Sequence, residues 1–280
     1  MGFSRVTRVA ETGSTNADLM AALSAGGAWP HLSVLVADSQ VAGRGRGDAV
    51  WQTTPGTALT CSVVIDPDGA PQVPLTWLPM VAGLAVRKAL APWIATGLKW
   101  PNDVVAEAPH PDPAWGWGPK LAGILCERHA SGTIVAGIGV NLLQTPEQLP
   151  VPWAGSVASL TGSAPTPAEL IDPLGAALSA YLATDLAALS AAYLDASTVI
   201  GSHVAVTLPD ERVVTGIAVG IDNDGALLLR PGSAPTDSLQ VDAAEWRSLD
   251  TLRGADSRGN EHVMRITAGE ARRLRGTLNV

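Results

Sequence analysis

Apolar and polar positions repeat along the chain in two ways, and each repeat marks a kind of element. Leu59, Cys61 and Val63 alternate with Thr60 and Ser62 inside an apolar stretch from Ala58 to Ile65. Period two predicts a half-buried strand there. Leu32 to Val36 is a shorter apolar run and reads as a buried strand. Lys120 to Cys126 and Thr133 to Asn141 read as adjacent strands joined by a turn at Ala130-Ser131-Gly132. Leu98 to Trp100 is a strand that Pro101 ends, because proline has no N–H for the ladder.

Helical spacing marks the other elements. Leu78, Val81, Ala82, Ala85 and Ala89 recur on one face between Thr76 and Leu90, with Arg87 and Lys88 near the end where the dipole favours cations. Ser14 or Thr15 caps a short helix carrying Leu19, Met20 and Leu23, which Gly26-Gly27 stops. Thr166-Pro167-Ala168-Glu169 is a capping box with proline in the first turn. The helix it opens presents Leu170, Ile171, Leu174, Leu178, Tyr181 and Leu182 to the core, and a second helical stretch runs on to about Tyr193 and Leu194.

Near Thr198 the pattern changes to short alternating runs. Val204, Val206 and Leu208 alternate, Pro209 to Arg212 turns, and Val213 to Ile221 returns. Asp222-Asn223-Asp224-Gly225 then turns into Ala226 to Leu229. That turn lacks the glutamate that closes a calcium loop. Two registers fit the rest of the chain. Either Thr267-Ala268-Gly269-Glu270 belongs to the last strand and Ser233 to His262 is inserted, or Val241 to Leu249 is that strand and a tail with Arg265, Arg272, Arg273 and Arg275 comes after it. The first is preferred. Glu107 to Pro119, with four prolines and with Trp115 and Trp117, reads as an inserted loop whose tryptophans either cover a pocket or pack on the sheet, packing being preferred.

Composition narrows the class. A chain of 280 residues with 46% apolar and 16% charged residues fits one large domain plus a small one, or two moderate domains. No apolar run reaches the roughly 18 residues that span a bilayer, and Met1 to Arg5 has no signal-peptide core. A cytoplasmic protein without membrane partners is expected. Cys61 and Cys126 sit in apolar runs as small hydrophobes, neither at metal-ligand spacing. A net charge of −8 argues against a nucleic-acid partner.

The candidate chemistry starts with Gly43-Arg44-Gly45-Arg46-Gly47. Glycines at this density let backbone N–H groups face an anion, and arginines add forked donors. By themselves these residues also suit a surface turn. Lys120 alone is a lysine at a strand end, Asn102-Asp103 an Asx turn, Trp51 a core side chain, and Ser14-Thr15-Asn16 a helix cap.

Taken in order, the motifs say more. Thr12-Gly13-Ser14-Thr15-Asn16, Gln40 with Gly43-Arg44-Gly45-Arg46 and Trp51, Lys99-Trp100-Pro101-Asn102-Asp103, Lys120-Leu121-Ala122-Gly123-Ile124 and Gly137-Ile138-Gly139-Val140-Asn141 resemble the biotin–protein ligase family in sequence and spacing. The resemblance implies an α+β fold: a mixed β-sheet catalytic domain packed with helices over residues 1–198, then a small SH3-like β-barrel over 199–280 with a possible insertion at 233–262. Only 11 residues precede Thr12, so it implies the short form without the DNA-binding domain that some members carry.

The implied reaction activates biotin with ATP and Mg²⁺ as biotinyl-5′-AMP. The acyl group then passes to a lysine of a biotin carboxyl carrier protein domain, the enzyme being a monomer or homodimer. The resemblance gives Lys120, Arg46 and Arg44 catalytic roles. It places Ser14, Thr15, Asn16, Gln40, Arg44, Gly45, Arg46 and Lys120 at biotin. Trp51, Asn102, Asp103 and Asn141 fall at the adenylate, with Asp103 a Mg²⁺ ligand. The chain departs from the family at Asp48 and Ala49, where most members have a second glycine–arginine pair; this puts adenylate retention in question. A lipoate–protein ligase and a non-catalytic biotin- or carrier-binding protein are the alternatives.

Overall fold

A computed structural model describes residues 2–47, 49–109, 115–230 and 263–273. In chain order the first unit comprises β1 (Arg5–Thr12), α1 (Thr15–Ser24), β2 (Ser33–Gln40), β3 (Gly43–Arg44), β4 (Val50–Trp51), β5 (Ala58–Ile65) and α2 (Leu78–Leu90). It continues through β6 (Thr96–Lys99), β7 (Asp103–Ala106), β8 (Lys120–Arg128), β9 (Ile134–Asn141), α3 (Val157–Thr161), α4 (Pro167–Leu182) and α5 (Leu186–Ala196). Seven of its strands form one sheet in the order β1-β2-β5-β9-β8-β7-β6. β1 and β2 run parallel and the other neighbours antiparallel, so the sheet is mixed.

The capping signals act as the sequence predicts. The Ser14 side chain accepts from Ala17 N and starts α1, while the Thr166 and Glu169 side chains and backbones bond reciprocally at the start of α4. One sheet face packs on α2 and α4, joining Leu59, Cys61 and Val63 to Val81, Leu84, Leu174 and Leu178 in the main core. On the opposite face Leu19 of α1 closes a small cluster with Leu35, Val64 and Val135.

Strand β5 differs from expectation. It is buried at every position rather than on one face. Its polar side chains are covered too, because Ser62 Oγ lies within hydrogen-bond distance of Thr15 Oγ1 (2.7 Å) and Asn16 Oδ1 (2.5 Å). Trp115 and Trp117 are buried, and Trp115 stacks on Trp153 with centroids 5.7 Å apart, so these tryptophans do pack. Cys61 and Cys126 are free thiols that burial pushes up to about 12, Glu127 adding to the effect at Cys126. Among the described residues no helix is long and apolar enough to cross a membrane.

The second unit contains β10 (His203–Thr207), β11 (Val213–Ile221), β12 (Leu227–Arg230), β13 (Met264–Ile266) and β14 (Glu270–Arg273). They form an antiparallel sheet in the order β13-β12-β11-β10-β14. Among the described residues no pairing of β13 with β14 closes it, so the expected barrel is seen as a five-stranded sheet. Thr207 pairs with Glu270 in the last strand. The expected insertion at 233–262, the alternative strand Val241 to Leu249, Arg275 and Asp48 lie outside the described residues.

The Asp222–Gly225 turn docks this sheet on the first unit. Trp77 Nε1 donates to Asn223 O (2.9 Å) and Trp100 Nε1 to Gly225 O (3.1 Å). The aspartates of the turn pair with Arg265, at 2.7 Å for Asp222 and 2.6 Å for Asp224.

Candidate functional site

A cavity of about 230 Å³ opens on the face of the large sheet that carries α1. Strand register explains its floor. Thr60 lies opposite Gly139, Gly139 opposite Gly123, and Gly123 opposite Asp103, which makes one row across four strands. Two residues further along, on the same face, Ser62 lies opposite Gly137 and Gly137 opposite Leu125. A glycine stands at three of these positions, and side chains from above fill the space. A Cβ on Gly139 would sit 2.3 Å from the Trp51 ring, and one on Gly137 would sit 2.5 Å from Asn16 Oδ1.

The two rows differ in chemistry. Above Ser62 and Gly137 the side chains of Thr15, Asn16 and Gln40 are uncharged, and the charges of Arg44 and Glu127 at that end are paired with each other. Gln40 Oε1 accepts from Thr15 N at 2.9 Å and lies 3.2 Å from Thr15 Oγ1. Asn16 Nδ2 donates to Leu125 O at 3.1 Å. Beside Gly123 and Asp103 the groups are charged. Lys120 Nζ lies 2.7 Å from Asp103 Oδ1, and Lys99 Nζ lies 3.3 Å from Asp103 Oδ2. Burial alone would raise the Asp103 carboxyl, but Lys120 and then Lys99 outweigh it and hold it below the ordinary carboxylate value. Arg46 Nη1 donates to Gly269 O at 3.2 Å and lies 3.5 Å from Asn102 Oδ1. Burial lowers the Arg46 value, opposed by Asp103 and Glu270.

The glycine–arginine segment is a small hairpin, β3 pairing with β4, rather than an open loop. It places Arg44, Gly45, Arg46, Ala49 and Trp51 on the cavity wall. Ser14, Thr15, Asn16, Gln40, Asn102, Asp103 and Lys120 line the same space. Three expected residues sit differently. Asn141 is not on the cavity wall: it pairs with Ala58 one step beyond the Gly139 row, and its Oδ1 accepts from Gln144 Nε2 at 2.9 Å. The Arg44 guanidinium is committed to Glu127, at 2.9 and 3.0 Å from the two carboxylate oxygens. Asp103 has an ammonium group on each oxygen, which leaves it unsuited to hold Mg²⁺. Among the described residues no group of three or more acidic, histidine or cysteine side chains could hold a metal ion.

Sequence reasoning gave Lys99 no role beyond its motif and missed Glu127, Ser62, Trp153 and Glu270. A lysine 1% exposed inside an apolar strand signals a buried partner, and Asp103 four residues on supplies one. Glu127 falls on the same strand face as Gly123 and Leu125, which alternation along β8 makes readable. Glu270, from the second unit, is brought to the wall only by the fold.

Comparison with known proteins gives consistent results. Residues 13–142 match the biotin/lipoate A/B protein ligase family, and residues 199–234 match the biotin protein ligase C-terminal domain. A biotin–[acetyl-CoA-carboxylase] ligase of Mycobacterium tuberculosis is 41% identical over 82% of this chain and 85% of its own. One from Paracoccus denitrificans is 33% identical over 85% of this chain and 98% of its own. The fold resembles that of the biotin protein ligase from Aquifex aeolicus in complex with biotin and ATP. That match has a TM-score of 0.69 at 23% identity and covers 98% of this chain and 100% of the other.

Proposed function

This chain belongs to the biotin/lipoate A/B protein ligase family, and we propose that within it the chain is a biotin–[acetyl-CoA-carboxylase] ligase. Biotin's carboxylate attacks the α-phosphate of ATP, the bond to the β-phosphate oxygen breaks and pyrophosphate leaves. The ε-amine of a lysine on a biotin carboxyl carrier domain then attacks the acyl carbon of biotinyl-5′-AMP and releases AMP.

The observation that carries this reading is the division of one cavity into a neutral row and a charged row, with Lys120 Nζ over Gly123, 3.4 Å from where a Cβ on it would stand. A ureido ring has one carbonyl and two N–H groups and no charge. Ser14, Thr15, Asn16 and Gln40 suit it without a charge left to desolvate. Negative charge is concentrated at the α-phosphate oxygens and leaving pyrophosphate in the first step and develops on the acyl carbonyl oxygen in the second, where fixed cations help most. Lys120, aimed by Asp103, and Arg46, aimed by Gly269 O, supply them. The Trp51 Nε1 donor is buried without a partner among the described residues, and a nucleotide over the Gly139 row would give it one. Asn102 stands at the same end. Asn141 supports the strand end through Gln144.

In this reading Mg²⁺ arrives on the ATP phosphates rather than on Asp103. The catalytic domain spans 1–198 and the C-terminal domain 199–280, and the protein works in the cytoplasm without a nucleic-acid partner. The test is incubation with ATP, biotin and an apo carrier domain, read by intact mass. A gain of one biotinyl group is expected. Gain from lipoate instead, or from neither acid, overturns the assignment.

A further inference from the structure

We propose that Glu127 is a positioning residue of this site, latching the β3–β4 hairpin over the cavity through Arg44 and setting the Asn16 amide with the same carboxylate. The proposal rests on the reading that the cavity holds biotin and then its adenylate.

Three elements far apart in sequence converge on one side chain. Arg44 Nη2, from the hairpin, lies 3.0 Å from Glu127 Oε1 and 2.9 Å from Oε2. Asn16 Nδ2, from the first turn of α1, donates to Oε2 at 2.7 Å. Glu127 itself stands on β8, in line with Leu125 and Gly123 of the cavity floor. Asn16 thereby has Leu125 O and Glu127 as acceptors for its two amide hydrogens, while its Oδ1 faces Ser62 Oγ. The amide has only one orientation that satisfies all three neighbours.

Arg44 therefore contributes less as a free cation than as a tether. Glu127 also cancels its charge at the neutral end of the cavity, where an unpaired guanidinium would draw anions. The Arg44 side chain is 50% exposed and that of Glu127 25%, so solvent screens the pair and the latch is modest. A modest latch suits a hairpin that must open for substrate and close over a reactive anhydride, because retention follows the closed population.

The experiment uses the full chain with Glu127→Gln, with Arg44→Ala and with both. Release of biotinyl-adenylate is followed in a chase with excess unlabelled compound. Each single variant should speed release about three- to fivefold, and the double variant should match the faster single one, because both remove the same contact. Release by Glu127→Gln within about twofold of the unaltered chain would overturn the latch, as would single effects that multiply in the double variant. An unaltered chain that forms no adenylate would overturn the functional reading, and the latch with it. Arg44 is half exposed, so its variant tests the tether without threatening the fold.

Discussion

Asp103 shows how one side chain can serve both stability and chemistry. It is 7% exposed and carries an ammonium on each oxygen, one buried and one on the cavity wall. Removing its charge with Asp103→Asn leaves Lys99 buried without a counter-charge. The variant should lose about 3–5 kcal/mol of stability in urea unfolding. The pH dependence comes from the direction of the shift. Asp103 lies below its ordinary value in the fold, so its contribution is complete above the ordinary carboxylate range and is lost as pH falls through the lowered value. Without Lys99 the Asp103 carboxyl is lowered less and no buried ammonium is stranded when it protonates, so Lys99→Met should lose less stability on acidification than the unaltered chain, read as urea unfolding free energy against pH. Lys120 is the converse case, with a side chain 24% exposed, so its removal spares the fold. Lys120→Ala should remain folded yet form adenylate about ten- to a hundredfold more slowly, the worth of one charge-assisted hydrogen bond. Pyrophosphate release from biotin and ATP measures this, and a rate within threefold of the unaltered chain would remove Lys120 from catalysis.

Among the elements, those whose pattern needs only neighbours in sequence were legible. The caps at Ser14 and Thr166 and the helical faces of α2 and α4 arise from local spacing. Strand β1 was not read, because Val6 and Val9 lie on an edge that stays largely exposed and give almost no alternation. Strand β5 was read as half-buried because nothing local says that α1 will cover Ser62 or that Thr60 will floor a cavity. The glycine rows were visible as motifs, but their purpose needs the register that sets Gly123 beside Gly139 beneath Trp51. That register yields a test. A methyl group at Gly139 meets the Trp51 ring at 2.3 Å, far inside contact distance, and the ring is held at the hairpin's second strand. Gly139→Ala should displace the indole, red-shift tryptophan emission and raise the KM for ATP about tenfold or more. Unchanged emission with an unchanged KM would mean that Trp51 does not depend on that floor.

At the scale of the whole molecule, the second sheet completes the site as well as extending the chain beyond it. Gly269 O receives Arg46 from a position 223 residues earlier, and Glu270 forms part of the cavity wall. Separation of that size is why Thr267-Ala268-Gly269-Glu270 reads locally as a strand and not as part of the site. The sheet is held in place at its other end, where Asn223 O and Gly225 O receive the indole donors of Trp77 and Trp100. Trp100 directly succeeds Lys99, so the side chain that donates to the docking turn and a lysine of the charged row are neighbours in the chain. Gly225 is the sensitive point. Its φ of 82° disfavours any side chain, and a Cβ there would meet Met80 Cε at 2.8 Å, although that methionine tip can yield. Gly225→Ala should therefore cost about 1–2 kcal/mol, mainly for the left-handed backbone. If docking of this sheet sets where Arg46 points, the same variant should also release biotinyl-adenylate several-fold faster under conditions where it is fully folded. Loss of stability in urea with an unchanged release rate would show that the turn anchors the sheet without governing Arg46.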